Sequence, residues 1–124
     1  MKKVQTRKSR SLSLLRKRGF IVDGEAESYN PFTQRKHDLF NFIDIAAVHK
    51  TKPGLGVLAV QVTNGGDLQA HLRKVDGLPG YWAWLDSGNP VEFHAWRKIK
   101  DGTKRLHWVP KIVRVTFESA LLGS

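Results

Sequence analysis

Residues 41–48 read NFIDIAAV and residues 56–63 read GVLAVQVT, and a loop containing Lys52-Pro53-Gly54 separates them. Both runs are rich in Ile, Val and Ala, which suit a pleated, half-buried surface, so they predict two strands paired as an antiparallel hairpin. A turn centred near Lys52-Pro53 puts Asp44 opposite Gln61 at the open end of that hairpin. Residues two apart on a strand share a face, so Gln61 and Thr63 point to the side of Ala59, and Asp44 to the side of Ala46 and Val48. One carboxylate and one amide therefore stand together among apolar neighbours. Polar groups in a half-buried sheet need partners, and a bound cation with its waters would suit this pair.

Upstream of the hairpin, residues 33–38 are polar and basic, Asn30-Pro31 signals a turn, and Phe20-Ile21-Val22 begin an extended segment with Glu25 and Glu27 at alternate positions. Before them, Leu12 and Leu15 supply the core face of a short helix, capped by Ser9 or Ser11 and stopped at Gly19. Residues 1–10 read as a flexible basic arm, and 11–124 as one domain. Downstream, Asn64-Gly65-Gly66 breaks the second strand, and residues 67–76 predict a helix with Leu68, Leu72 and Val75 at core spacing. Pro79-Gly80 interrupts it, and residues 81–85 form a second helical piece ending near Gly88. Strands near 91–98 and 107–117 follow, joined by a Lys-Asp-Gly-Thr-Lys turn. The order α-β-β-β-α-β-β describes one α/β sandwich around a mixed sheet, with Trp82, Trp84 and Trp96 in its core.

Composition narrows the function classes. A chain of 124 residues is one domain in size. It has no cysteine, which excludes disulfides and cysteine-type zinc sites and fits a reducing cytoplasm. Its histidines, at 37, 49, 71, 94 and 107, lack a zinc-hydrolase spacing, and neither a G-x-S-x-G elbow nor a Walker loop occurs. No apolar run approaches the roughly 20 residues that span a bilayer, and no signal-type stretch follows the basic start. We therefore expect a soluble cytoplasmic protein without a membrane partner.

Charge points to the partner. Lys and Arg number 21 against 11 Asp and Glu, a net charge of +10, and residues 1–18 contain no acid. Such an excess captures polyanions, and nucleic acid is the expected one; an anionic membrane, an acidic protein or a merely solubilising surface are the alternatives. Near the C-terminus, Phe93, His94, Trp96, Arg97, Lys98 and Lys100, then Lys104, Arg105, His107 and Trp108, interleave aromatics with cations. That mixture suits phosphates and base stacking, or simply a small sheet with one face packed and one solvated.

The segment Arg35-Lys36-His37-Asp38-Leu39-Phe40-Asn41-Phe42-Ile43-Asp44-Ile45, a loop, and Val60-Gln61-Val62-Thr63 resembles the core of small PD-(D/E)XK nucleases. It is most similar to phage and viral relatives of archaeal Holliday junction resolvases, over residues 12–98. The resemblance implies a restriction-endonuclease-like fold, a mixed sheet flanked by helices. It also implies a magnesium (Mg²⁺ or Mn²⁺) dependent endonuclease that hydrolyses phosphodiester bonds of duplex or branched DNA, and a homodimer. Carried onto this chain, Asp44 is the motif aspartate, Gln61 stands at the acidic ligand position, Val62 offers its carbonyl and Thr63 stands at the lysine position.

This chain departs from the pattern in three places. Gln61 brings no charge, Thr63 no ammonium, and the first helix no acid. Asp38 is the first choice for a replacement carboxylate, ahead of Glu25 and Glu27. Lys74, on a polar helix stripe with Asp67 and His71, is the candidate for the missing lysine. Lys2, Lys3, Arg7, Lys8, Arg10, Arg35, Lys36, Arg73 and Lys74 are the expected nucleic-acid contacts. Ordinary structural roles compete throughout: Asp44 could pair with Arg35 or cap a turn, Gln61 and Thr63 could be plain sheet residues, and His71 and Lys74 a solvated helix face. The departures also fit a second function, a binding module on the same fold with a decayed centre. A third is a basic RNA-binding or assembly protein.

Overall fold

The computed structural model describes residues 6–24, 27–30 and 35–122. Lys2, Lys3 and Glu25 lie outside the described residues, as do the side chains of Glu27, Arg35 and Lys36. The chain begins with helix α1 (Arg7–Lys17) and strand β1 (Phe20–Asp23), then makes a small antiparallel ladder from β2 (Glu27–Asn30) and β3 (Arg35–Asp38). Strands β4 (Ile45–His49) and β5 (Val57–Asn64) follow, then helices α2 (Leu68–Asp76) and α3 (Pro79–Asp86). Strands β6 (Val91–Lys100) and β7 (Leu106–Val115) and a final short helix α4 (Phe117–Leu122) complete the order.

The central sheet has five strands in the order β1-β4-β5-β6-β7. Its neighbours are antiparallel except for the parallel pair β5–β6. A parallel pair cannot be joined by a tight turn, and here α2 and α3 supply the crossover. Strand β5 alternates across the sheet. Leu58 and Val60 join Leu15, Ile45 and Ala47 in a core under α1, while Ala59 joins Phe42, Val75, Leu85 and Phe93 in a second core under α2 and α3. Helices thus cover both faces of one mixed sheet. Trp96 is buried, and Trp82 and Trp84 pack half-buried against the second core. Among the described residues no helix is long and apolar enough to cross a membrane.

The hairpin register is Ile45↔Val60, Ala46↔Ala59, Ala47↔Leu58 and Val48↔Val57, the alignment that the sequence predicts for these four pairs. It ends there: the Asp44 N–H donates to the Val60 carbonyl, one step out of register, so the ladder does not extend to the expected pairing of Asp44 with Gln61. The first strand starts at Ile45 rather than Asn41. Residues 39–43 instead form a tight turn, with a Leu39↔Ile43 bridge and left-handed backbone at Phe40 (φ 52°) and Asn41 (φ 68°). Asn tolerates that conformation, whereas Phe adopts it only under constraint. The constraint comes from α3: a Cβ at Gly80 would lie 3.2 Å from the Cβ of Phe40, so the turn sits directly on that glycine.

Helix α1 also starts earlier than its sequence suggests. Thr6, not Ser9 or Ser11, is the cap, its hydroxyl oxygen accepting the Ser9 N–H at 3.0 Å. Arg7, Lys8 and Arg10 therefore belong to the helix rather than to a flexible arm, and Ser11 is buried inside it. Pro79 opens α3 instead of merely interrupting a helix, because the first helical position needs no N–H.

Candidate functional site

At the open end of the β4–β5 hairpin, Asp44, Gln61 and Thr63 are all buried, at 6, 2 and 4 % exposure. The Asp44 N–H donates to the Val60 carbonyl at 3.0 Å. Its carboxylate accepts the Val62 N–H at 2.7 Å, replacing the ladder bond that the end of β4 no longer supplies. In a strand the N–H and C=O of one residue face the same neighbour, so the Val62 carbonyl opens towards the Asp44 side. The Gln61 Oε1 is buried and receives no hydrogen bond. Leaving such an acceptor unmet costs about 1–3 kcal/mol.

The 39–43 turn adds a second acid. The residues next outward from the Leu39↔Ile43 bridge are Asp38 and Asp44, so the turn carries both at its two legs. Among the described residues no group of three or more His, Cys, Asp and Glu side chains is placed to hold a metal. A cation here would rest on Asp44, the Gln61 amide oxygen and the Val62 carbonyl, with Asp38 near by in the chain. All are hard oxygen donors, which suit Mg²⁺ or Mn²⁺ better than zinc.

The remaining expected site residues divide. Thr63 lies on the Gln61 face of β5 beside Ala95 of β6, enclosed by the sheet. Arg73 and Lys74 are exposed in the last turn of α2. Asp67 is exposed and accepts a hydrogen bond from the Asn64 amide at 2.7 Å, as part of the turn into α2. His71 departs from the expected solvated stripe: it is half-buried, with Nδ1 enclosed and unpartnered. Its spacing gives the reason, because position 71 lies three residues after buried Leu68 and four before buried Val75.

A second polar cluster is hidden in the sequence. Glu92, His94 and Ser11 are fully buried between α1 and β6. Arg18 grips Glu92 with both terminal nitrogens, at 2.7 and 2.8 Å, and Arg114 adds a third contact at 3.0 Å. His94 Nε2 lies 2.9 Å from Glu92 and its Nδ1 2.9 Å from the Ser11 hydroxyl, which accepts the Trp96 indole N–H at 2.8 Å. One proton arrangement satisfies every atom: Ser11 donates to His94 Nδ1, and His94 Nε2–H donates to Glu92. Burial by itself pushes the Glu92 carboxyl up, but hydrogen bonds from Arg18 and His94, with the Arg18 charge, outweigh it and bring it down to about 2.

This serine–histidine–carboxylate chain has the members of a hydrolytic triad but no opening for a substrate, and it works as a bolt fastening α1 to β6. Phe93, His94 and Trp96 therefore do not belong to the aromatic and cationic surface expected of the last hairpin. A strand covered on both faces hides polar residues that look exposed in sequence. The alternation of Glu92, His94 and Trp96 is the one signal of this that the sequence carries.

Comparison of the chain with protein families, with curated proteins and with solved structures finds no match in any of the three.

Proposed function

We propose that this protein is a metal-dependent deoxyribonuclease of the restriction-endonuclease-like type, acting in the cytoplasm as a dimer on duplex or branched DNA. The observation that carries this reading is the buried, unmet Gln61 Oε1 on β5, one residue before Val62, whose N–H the Asp44 carboxylate accepts. The helix, antiparallel hairpin and parallel crossover strand around it support the reading, as does the net charge of +10. Mg²⁺ or Mn²⁺ held there would activate a water and neutralise the scissile phosphate. Asp44 is the charged ligand, Gln61 and Val62 are neutral oxygen ligands, and Asp38 orients or completes the set from the other leg of the turn. Lys74, exposed on α2, would meet charge developing on the phosphate.

Nicking of supercoiled plasmid with Mg²⁺, Mn²⁺ or EDTA tests this: nicking is expected with either metal and none with EDTA. Duplex binding without any metal-dependent nicking would establish the second reading, a binding module on the same fold. The neutral Gln61 and the Thr63 at the lysine position are the observations that favour it.

A further inference from the structure

Beyond Asn64, paired with Trp96, the sheet narrows to two strands. β6 and β7 remain paired through Arg97↔Val109, Lys98↔Trp108, Ile99↔His107 and Lys100↔Leu106. At about 3.3 Å per residue this ribbon extends roughly 13 Å past the rest of the sheet before its turn. Every residue from 97 to 108 is exposed. Residues 97–112 carry six Lys and Arg against one acid, Asp101. That acid is already engaged in the turn, where it accepts the N–H groups of Thr103 and Arg105 at 2.8 and 3.1 Å and pairs with His107.

The direction of the ribbon matters. Because β5 and β6 are parallel, it leaves the sheet at the end of β5 that carries Gln61, Val62 and Thr63. Lys98, Lys100 and Trp108 share the face of Glu92 and His94, which is the α1 side. There Arg10 lies over the Trp108 ring at 4.7 Å and Lys98 at 5.1 Å, so the first turns of α1 continue the ribbon's positive surface.

We propose that this ribbon is an arm that grips double-stranded DNA, lying in a groove with Lys98, Lys100, Lys104 and Arg105 against the flanking phosphates. The inference rests on the reading of DNA as partner, and it adds the form of the substrate and the residues that select it. A two-stranded ribbon fits the major groove of B-DNA, about 12 Å wide. A single strand would be held instead by aromatic stacking, but Trp108 is the ribbon's one tryptophan, tyrosine or phenylalanine and its ring is already engaged by two cations. The exposed Ile99 and Leu106 of the ribbon supply apolar contacts of the kind that thymine methyl groups accept.

The test is a variant combining Lys98→Ala, Lys100→Ala, Lys104→Ala and Arg105→Ala, titrated by fluorescence anisotropy against a duplex and a single strand of equal length. All four side chains are exposed, so the circular dichroism spectrum should match wild type. Duplex affinity is expected to fall at least about tenfold, with the log–log salt slope shallower by about 0.9 for each phosphate that is no longer neutralised, and single-strand affinity to change much less. If wild type binds duplex and the variant does so with unchanged affinity and slope, the arm is overturned while the DNA reading stands. Equal losses on both substrates overturn the groove fit. Wild-type protein that binds neither overturns the arm and the DNA reading together. A variant altered in self-association alone, by light scattering, would make the ribbon a protein interface and likewise overturn the proposal.

Discussion

The carboxylate of Asp44 accepts the backbone N–H of Val62 at 2.7 Å, tying the residue before β4 to the middle of the segment that carries Gln61 and Thr63. Asp44→Asn keeps an oxygen that can accept this bond and removes the charge. The loss of charge assistance should cost about 1 kcal/mol of stability. Plasmid nicking should be abolished, while DNA binding survives or tightens because a negative group near the phosphate is gone. Undiminished nicking by the purified variant would remove Asp44 from the centre.

Gln61→Glu tests the same end from the other strand. It places a second carboxylate in a buried position one residue from Val62, to which Asp44 is bonded, and a buried charge without a partner is costly. In EDTA the variant should lose about 1–3 kcal/mol, several degrees in thermal midpoint, and recover with Mg²⁺ or Mn²⁺ because hard cations prefer charged oxygens. Midpoints across a metal titration decide the matter. Equal loss with and without metal means that no cation sits between these strands.

The buried Glu92 sets an acid limit on stability. Its carboxyl is held at about 2 against an ordinary 4.5. A depressed carboxyl stabilises the fold fully above its unfolded value and loses that contribution as pH falls from about 4.5 towards 2, a loss of about 3 kcal/mol. Glu92→Gln should flatten this limb of the stability curve. At neutral pH it should cost about 3 kcal/mol, since Arg18 loses its buried partner but can still reach water. Urea denaturation from neutral to acid pH reads both effects, and an unchanged acid limb would disprove the assignment.

Ser11→Ala separates a structural bolt from a catalytic serine. The Trp96 indole and His94 Nδ1 lose their buried partner, which should cost about 1–3 kcal/mol. Nicking per folded molecule, measured well below the midpoint, should equal wild type. A folded variant without activity would show that this chain takes part in chemistry.

How far the sequence can be read follows from what each feature depends on. The hairpin is legible because its two apolar runs flank a short loop whose centre sets the register from Ile45↔Val60 to Val48↔Val57. The start of β4 is not, because NFI at 41–43 is as apolar as a strand. What bends it is the packing of Phe40 on Gly80, a contact between residues distant in the chain. Ser11 looks like a cap because serine often is one, yet Thr6 already holds the helix start and leaves the Ser11 hydroxyl for His94 and Trp96.

By itself, the amino-acid sequence determined the first helix, the β4–β5 hairpin with its register, the helical crossover and the strongly positive charge, since these follow from local periodicity, turn position and composition, whereas the β2–β3 ladder and α4 were not legible in it. Only the tertiary structure decided which cations meet solvent and which meet Glu92. Arg18 and Lys98 look alike in sequence, but Arg18 packs beside a carboxylate at 0 % exposure while Lys98 stands on a ribbon in water. A buried charge persists only where partners converge on it from α1 and β7, and no stretch of local sequence records that convergence.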